Sequence, residues 1–255
     1  MKGRHAVVTG GGRGIGAAAA AALAKRGCNL TLLGRDLQRL DQRAEAIANA
    51  HGVQVATVRC DVSNPADVGE AFRVARETFG APHILVNNAG IAEAAPFTDT
   101  GLDLWNRTLG INLTGPFLCM QQVLPAMVAA KAGRVVNVAS VSGLKAFTTV
   151  SAYTASKHGL VGLTKVVALE VARAGVTVNA VCPGYTDTDM AGYAVDDLKL
   201  AGKTDEEARQ AIVKTIPRGT LITPEEVAET IAYLCSDEAS GINGEAILIA
   251  GGGGL

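Results

Sequence analysis

The stretch Thr9-Gly10-Gly11-Gly12-Arg13-Gly14-Ile15-Gly16 joins an apolar, β-branched run, residues 5–9, to an alanine-rich segment, residues 17–26. The run predicts a strand, and the alanine-rich segment predicts a helix. Glycines at such a junction allow the backbone to approach a pyrophosphate held at the helix N-terminus. The stretch therefore predicts a strand, a loop and a helix that bind a nucleotide, although a turn without ligand also favours glycine and a methyltransferase is a competing nucleotide user.

Strand and helix patterns alternate along the rest of the chain. Further strands are predicted at 29–33, 53–59, 84–87, 134–140, 176–181 and 246–249, and further helices at 37–51, 65–79, 102–131, 152–173, 204–214 and from 223 onward. Pro116 and Pro125 predict a break or a kink in the stretch 102–131. The alternation predicts an α/β protein: a single doubly wound Rossmann-like domain, residues 1–255, with a mostly seven-stranded parallel sheet between helical layers.

Composition limits the classes of partner. Of 255 residues 48% are hydrophobic and 18% are charged, and the formal net charge is −1. This balance offers no basic field for nucleic acid or for an acidic membrane surface. Five scattered cysteines without a Cys-x-x-Cys pair predict neither a disulfide framework nor a zinc site. The N-terminus lacks signal-peptide architecture, and no apolar run is expected to approach membrane-spanning length, so we expect a soluble cytoplasmic protein.

The end of the second predicted strand bears on the choice of cofactor. An acid at this place would hydrogen-bond a ribose 2′-hydroxyl, but the sequence has Gly34 followed by Arg35. Arg35 and Arg13 together would form a fork for a 2′-phosphate, which favours NADP(H) over NAD(H), although NAD(H) stays possible. In the alternative interpretation Arg35 is a solvated turn residue and Asp36 is the acid.

The stretch 151–159 places a phenol, Tyr153, and an amine, Lys157, one helical turn apart. A free phenol titrates near pH 10 and needs a nearby cation to carry protons at neutral pH. Two unit charges about 4 Å apart interact by roughly 4 kcal/mol at an effective dielectric near 20, so a pKa shift of a few units is within reach. Alone, this spacing also fits a surface lysine beside a packed tyrosine.

Several motifs occur together in a fixed order: the glycine loop from Thr9 to Gly16, then Asn87-Asn88-Ala89-Gly90, Asn112, Ser140, Tyr153 with Lys157, and Pro183-Gly184. In this order and spacing the chain resembles the short-chain dehydrogenase/reductase family over essentially its whole length. The resemblance implies a nicotinamide cofactor and hydride exchange between the nicotinamide and a carbonyl or alcohol carbon.

The resemblance also implies a role for each catalytic residue. Tyr153 would be the general acid in reduction and the base in oxidation, and Lys157 would lower its pKa and hydrogen-bond the nicotinamide ribose. Ser140 would hydrogen-bond the substrate oxygen. Asn112 would support a water-linked proton path behind the lysine. The cofactor-binding residues would be Thr9, Gly10, Gly12, Arg13, Gly14, Ile15, Gly16, Arg35, Asp61, Val62, Asn88, Ala89, Gly90, Tyr153, Lys157, Pro183, Gly184, Thr186 and Thr188.

Two other site types are disfavoured. The four histidines lack metal-ligand spacing, so no metal is assigned. Ser140 is not part of a Gly-x-Ser-x-Gly elbow, which argues against a hydrolase. A nucleotide-sensing protein without turnover stays as a remote alternative, but it has no need for Ser140, Tyr153 and Lys157 together.

The substrate is expected to meet an inserted segment, residues 184–216, and two loops, residues 91–100 and 141–150. A mostly apolar wall is predicted from Phe97, Phe147, Tyr185, Met190 and Tyr193. The chain is most similar to the branch of 3-oxoacyl thioester reductases and polyketide ketoreductases, which also contains reductases of free and cyclic ketones.

Recognition of a carrier protein is in doubt, because Lys131 and Ala174 stand near the places where arginines are expected, with Arg173 one place away. A coenzyme A thioester or a free ketone therefore stays open. The family resemblance also implies a homotetramer, with the helix that carries Tyr153 and the long helix before it forming a dimer face.

Overall fold

A computed structural model describes residues 1–189 and 204–253. Its strands are β1 His5–Thr9, β2 Asn29–Gly34, β3 Val55–Arg59, β4 Ile84–Asn87, β5 Gly133–Val138, β6 Val176–Pro183 and β7 Ala246–Ile249. They form one seven-stranded sheet in the order β3-β2-β1-β4-β5-β6-β7, and every neighbouring pair is parallel. The predicted doubly wound α/β class is confirmed.

The helices are α1 Gly14–Lys25, α2 Leu37–His51, α3 Pro65–Phe79, α4 Leu102–Leu109, α5 Gly115–Ala130, α6 Ser151–Val171, α7 Asp205–Lys214 and α8 Pro224–Leu234. Several begin at side chains that satisfy the free N–H groups of the first turn. Asp36 accepts from the Arg39 N–H at the start of α2, and Asn64 accepts from Ala66 and Asp67 at the start of α3. Capping boxes open α7 and α8.

The two faces of the sheet carry different sets of helices. Ala6 and Val8 of β1 lie in one buried cluster with residues of α1, α2 and α8. Val7, between them, lies in a second cluster with residues of α3, α5 and α6. This alternation is the period of a strand that is buried on both faces, and it explains why the strands are almost continuously apolar.

The predicted helix over 102–131 is interrupted by one turn of π-helix, Gly110–Thr114. Pro116 stands in the first turn of α5, where a missing N–H costs nothing, and Pro125 lies inside α5 without ending it. The break therefore precedes both prolines. A π-turn of this kind is frequent at functional sites, and here it contains Asn112.

By length and composition, the run Leu102–Ala130 is apolar enough to cross a membrane. The expectation that no apolar run approaches membrane-spanning length is therefore wrong for this run. In the fold, Met120, Val123 and Met127 from the same run are buried in the cluster that α3 and β5 share. Its apolar side chains are thus used to cover one face of the sheet.

The strand order reverses its direction of growth between β1 and β4. In open parallel sheets, ligands bind beyond the carboxyl ends of the strands at such a switch point. The carboxyl ends of β1, β4 and β5 bring together the glycine loop, Asn88 and Ser140, although these residues are far apart in the sequence.

Candidate active site

The glycine loop forms a tight cradle at the N-terminus of α1. Gly10 has φ +66 and Gly14 has φ +51, backbone conformations that residues with a side chain rarely adopt. A Cβ on Gly16 would overlap the Gly10 carbonyl oxygen and the side-chain nitrogen of Asn88. The glycines are therefore needed for close packing, and they leave the free N–H groups of α1 facing open space.

Asn88 closes this cradle from β4. Its side-chain amide donates to the carbonyl oxygens of Thr9 (2.9 Å) and Gly10 (3.2 Å). The Thr9 hydroxyl oxygen in turn accepts from the N–H groups of Asn88 (2.9 Å) and Ala89 (3.0 Å). Thr9 and Asn88 thus hold the ends of β1 and β4 in a fixed relation.

A cavity of about 510 Å³ runs from this cradle past the ends of β2 and β3. Its wall contains the predicted residues Gly10, Gly12, Arg13, Gly14, Ile15, Arg35, Asp61, Val62, Asn88, Ala89, Gly90 and Thr188. Thr9 and Gly16 lie behind the wall as its framework. An elongated cavity that begins at glycines and a helix N-terminus fits a dinucleotide.

The charged residues at the far end of this cavity have different partners. Arg35 is exposed, and its charge helps to lower the pKa of Asp61, for which the hydrogen bonds from Ser63 are the larger cause. Arg13 donates to the Asp189 carboxylate at 2.8 Å, a pairing that the sequence analysis did not foresee. Asp36 accepts from the Arg39 N–H through one carboxylate oxygen at the cap of α2, and it lines the same cavity as Arg35.

A second cavity, of about 440 Å³, lies beyond the carboxyl ends of β5 and β6. Ser140, Tyr153, Lys157, Pro183, Gly184 and Thr186 are in its wall. It shares Ile15, Asn88, Gly90 and Thr188 with the first cavity. The two cavities therefore adjoin, and Ser140, Tyr153 and Lys157 lie in the wall of the second one.

Tyr153 and Lys157 are both buried on α6, with 6% and 4% of their surfaces exposed. The Lys157 Nζ lies 5.6 Å from the centre of the Tyr153 ring and donates to the Val138 carbonyl oxygen at 2.8 Å. Burial raises the pKa of Tyr153, and the nearby Ser140 hydroxyl acts in the opposite direction. Burial also lowers the pKa of Lys157 to about 8.

These directions differ from the expected action of Lys157 as the cation that lowers the phenol pKa. In the protein without ligands, loss of solvent is the largest influence on both groups. The phenol is thereby kept protonated, as a general acid requires.

Ser140 follows β5 and lies beside Tyr153 in the wall of the second cavity. Its hydroxyl oxygen accepts from the Ser142 N–H at 3.1 Å. This bond occupies one lone pair and leaves the hydroxyl proton free to be donated.

Asn112 is fully buried and lies behind Lys157. Its carboxamide makes a two-way pair with Ile91, accepting from the Ile91 N–H and donating to the Ile91 carbonyl, each at 2.9 Å. It also donates to the Ser156 hydroxyl at 3.1 Å. A Cβ on Gly90 would lie 3.2 Å from the Asn112 carbonyl oxygen and 3.7 Å from the Lys157 Nζ. Asn112 thus orders the chain that passes between the two cavities.

The predicted apolar wall is only partly observed. Phe147 and Tyr185 line the second cavity. Phe97 is 79% exposed on the short turn Phe97–Asp99 and does not line the cavity, so its assignment to the wall is wrong. Met190 and Tyr193 lie outside the described residues.

Two further parts of the wall lie within the segments expected to bound the substrate, 141–150 and 184–216, but their residues were not singled out from the sequence. These are Ser142 and, from α7 and the residue that follows it, Ala211, Ile212 and Thr215. The apolar spacing of α7 contained a signal for the latter group, whereas nothing in the sequence singled out Ser142. Within residues 1–189 and 204–253 no three His, Cys, Asp or Glu residues are grouped as metal ligands would be.

The sequence and the fold of this chain are similar to those of known proteins. A family model described as Enoyl-(Acyl carrier protein) reductase matches residues 10–253. The chain is similar to the 3-oxoacyl-[acyl-carrier-protein] reductase FabG of Aquifex aeolicus, with 38% identity over 99% of this chain and 98% of the relative.

Two solved structures have closely similar folds. One is levodione reductase, with a TM-score of 0.95 and 33% identity over 99% of this chain and 98% of that one. The other is a variant of actinorhodin polyketide ketoreductase with NADPH, with a TM-score of 0.95 and 35% identity over 98% of this chain and 97% of that one.

Proposed function

Since the chain belongs to the short-chain dehydrogenase/reductase family and is an oxidoreductase of that family, we propose that it is an NADPH-dependent reductase that interconverts a ketone and a secondary alcohol. The proposed substrate is a 3-oxoacyl thioester. One observation carries the proposal: the cavity at the glycine loop adjoins, along Ile15, Asn88, Gly90 and Thr188, a second cavity whose wall contains Ser140, Tyr153 and Lys157.

The chain's residues fit a nicotinamide dinucleotide. The loop from Gly10 to Gly16 would hold the pyrophosphate, and Asp61 with Val62 would face the adenine. Pro183, Gly184, Thr186 and Thr188 would hold the carboxamide. When bound, the cofactor supplies or accepts the hydride.

Tyr153 provides the proton in the direction of reduction. Its raised pKa keeps the phenol protonated until negative charge develops on the substrate oxygen. Ser140 donates a hydrogen bond to the same oxygen and so stabilises that charge. Lys157, which carries its charge below about pH 8, stabilises the phenolate left after proton transfer.

The preference for NADPH rests on cations at the far end of the first cavity. Arg13, Arg35 and Arg39 all line it, and guanidinium groups suit the geometry of a phosphate monoester. Asp36 also lines this cavity, and its carboxylate accepts from the Arg39 N–H and lies 3.6 Å from the Arg39 guanidinium. The similar actinorhodin ketoreductase was solved with NADPH.

Replacing Arg35 with aspartate should test the cofactor preference. We expect the ratio of kcat/KM for NADPH to kcat/KM for NADH to fall at least tenfold. Arg43→Asp makes the same charge change on the exposed side of α2, away from the cavity wall, and should leave the ratio nearly constant. An equal change in both variants would attribute the effect to net charge and overturn the assignment of Arg35.

A thioester substrate is favoured by the similarity to FabG. Recognition of an acidic carrier protein has less support, because Lys131 and Ala174 stand near the places where arginines are expected and, among the described residues, only Arg173, one place away, offers an exposed guanidinium there. A coenzyme A thioester is therefore the better candidate. A free or cyclic ketone is the second candidate, favoured by the similarity to levodione reductase, whose name denotes a dione.

The direct test follows NADPH absorbance with acetoacetyl-CoA, cyclic ketones and diketones. Wild-type protein should reduce acetoacetyl-CoA fastest, and Tyr153→Phe should lower kcat by at least a hundredfold, since general acid catalysis contributes about 10²–10⁴. A variant that keeps most of the turnover would show that Tyr153 is not the acid. Reduction of cyclic ketones but not of the thioester would select the second candidate.

The proposal includes a homotetramer in the cytoplasm. Phe117 on α5 and Val166 and Leu169 on α6 are exposed apolar side chains on the two helices expected to form a dimer face. All five cysteines are free and buried, which suits a reducing compartment. Light scattering coupled to size exclusion should give four times the chain mass; a monomeric mass would refute the assembly.

A further inference from the structure

Ser142 carries a hydroxyl that the proposed mechanism leaves unused. It lies in the single 3-10 turn Val141–Gly143, directly after Ser140, and only 5% of its surface is exposed. Its backbone N–H is bonded to the Ser140 hydroxyl oxygen. Among the described residues, none forms a hydrogen bond with the Ser142 hydroxyl, and Ser142 lines the second cavity.

The Ser142 hydroxyl oxygen is not one of the fully buried polar atoms that lack a partner, so it is open to the second cavity and can bond a ligand there. The unused hydroxyl therefore points to a partner that enters the cavity. Building on the proposed function, we infer that Ser142 donates a hydrogen bond to a second oxygen of the substrate, beside the carbonyl oxygen that Ser140 and Tyr153 bind.

The turn that carries Ser142 is held rigidly against α6. The Gly143 N–H donates to the Ser140 carbonyl oxygen at 2.8 Å, and a Cβ on Gly143 would lie 2.9 Å from the Lys157 carbonyl oxygen. The turn thus touches the backbone of Lys157 itself. Ser142 is fixed relative to the reacting groups, so its hydroxyl can select substrates by the position of an oxygen.

This geometry defines a substrate class. Ser140 and Ser142 are two residues apart in one turn, so the two oxygens that they bind belong to the same small part of the substrate. A 1,3-dicarbonyl compound has this feature, whether it is a 3-oxoacyl thioester or an ester. A simple ketone would fill the cavity without offering an acceptor to the Ser142 hydroxyl, and a site built for a hydrogen bond rejects such an analogue.

The test compares ethyl acetoacetate, which has the second carbonyl, with 2-hexanone, which does not. For Ser142→Ala, the ratio of kcat/KM for ethyl acetoacetate to kcat/KM for 2-hexanone should fall about tenfold, the effect of one hydrogen bond. Ser142→Thr keeps the hydroxyl and should retain most of the wild-type ratio. Ser140→Ala should lower kcat/KM for both substrates by the same factor, because Ser140 acts on the carbonyl oxygen that both substrates have.

A binding measurement separates this inference from the proposed function. Calorimetry with NADPH present compares the affinity for ethyl acetoacetate of Tyr153→Phe with that of the double variant Tyr153→Phe, Ser142→Ala, neither of which should turn the substrate over. We expect the affinity of the single variant to be about tenfold higher. An unchanged affinity, or an equal loss of kcat/KM for both substrates, would overturn the role of Ser142. A wild-type protein that binds but does not reduce ethyl acetoacetate would instead contradict the proposed reaction.

Discussion

Replacing Lys157 with methionine should make the folded protein more stable at neutral pH while it abolishes activity. Burial lowers the pKa of Lys157 from its ordinary 10.5 to about 8 in the folded state. One pKa unit corresponds to about 1.4 kcal/mol, so the buried ammonium costs the fold about 3 kcal/mol at neutral pH. Methionine has a similar length and carries no charge. The hydrogen bond from Lys157 to the Val138 carbonyl is lost in the variant, which costs about 1 kcal/mol and leaves a net gain in the free energy of unfolding of about 2 kcal/mol.

The gain should depend on pH in a defined direction. Between about pH 8 and pH 10.5 the unfolded chain binds a proton at Lys157 that the folded protein does not. The free energy of unfolding of the wild type therefore rises with pH across this window. The advantage of Lys157→Met should shrink by about 2 kcal/mol between pH 8 and pH 10.

Urea unfolding without cofactor, at one protein concentration and at both pH values, measures this difference. Lys165→Met is the matched control: Lys165 is exposed on the same helix, so its replacement should change the free energy of unfolding by less than about 0.5 kcal/mol. The reasoning is refuted if Lys157→Met is less stable than the wild type at pH 7, or if its advantage is the same at both pH values.

Two further predictions concern the cofactor cavity. Gly16→Ala should lower NADPH affinity more than tenfold and destabilise the fold by about 1–3 kcal/mol, because the new methyl group meets the Asn88 amide and the loop backbone. The control, Gly69→Ala, lies in open space on α3 and should stabilise the fold by up to about 1 kcal/mol. Equal changes in the free energy of unfolding of the two variants, measured by denaturant titration, would contradict the packing argument. Asp189→Asn should release Arg13 for the 2′-phosphate and lower the KM for NADPH up to about fivefold, since an exposed ion pair contributes at most about 1 kcal/mol. An equal fall in the KM for NADH, which lacks the 2′-phosphate, would contradict this explanation.

Much of the fold could be predicted because local patterns and tertiary structure agree. The apolar run from His5 to Thr9 is a strand in both, and the glycines that follow it are required where they stand. The break before α5 was misplaced. Proline is the usual local signal for a break, but Pro116 fits the first helical turn, and the π-turn depends on the pairing of Asn112 with Ile91.

The candidate site was predicted unevenly for a related reason. Tyr153 and Lys157 share a helix face, which spacing alone indicates, whereas their pKa directions depend on burial by many distant residues. Arg13 and Asp189 are 176 positions apart, and no local pattern relates them. Asn112 was assigned only through the family resemblance, and Ser142 was not assigned at all, because a hydroxyl without a partner can be recognised only when its surroundings are known.

Because Asn88 holds the glycine loop in place, nucleotide binding should report when β4 docks beside β1 during folding. Its amide bridges the carbonyls of Thr9 and Gly10 across 79 and 78 positions of sequence. The loop can take its binding conformation only after β4 has docked beside β1, so a fragment that ends before residue 84 should not bind NADPH even if β1 and α1 have formed. During refolding, the appearance of NADPH binding should therefore mark the docking of β4, a step that local helix formation cannot replace.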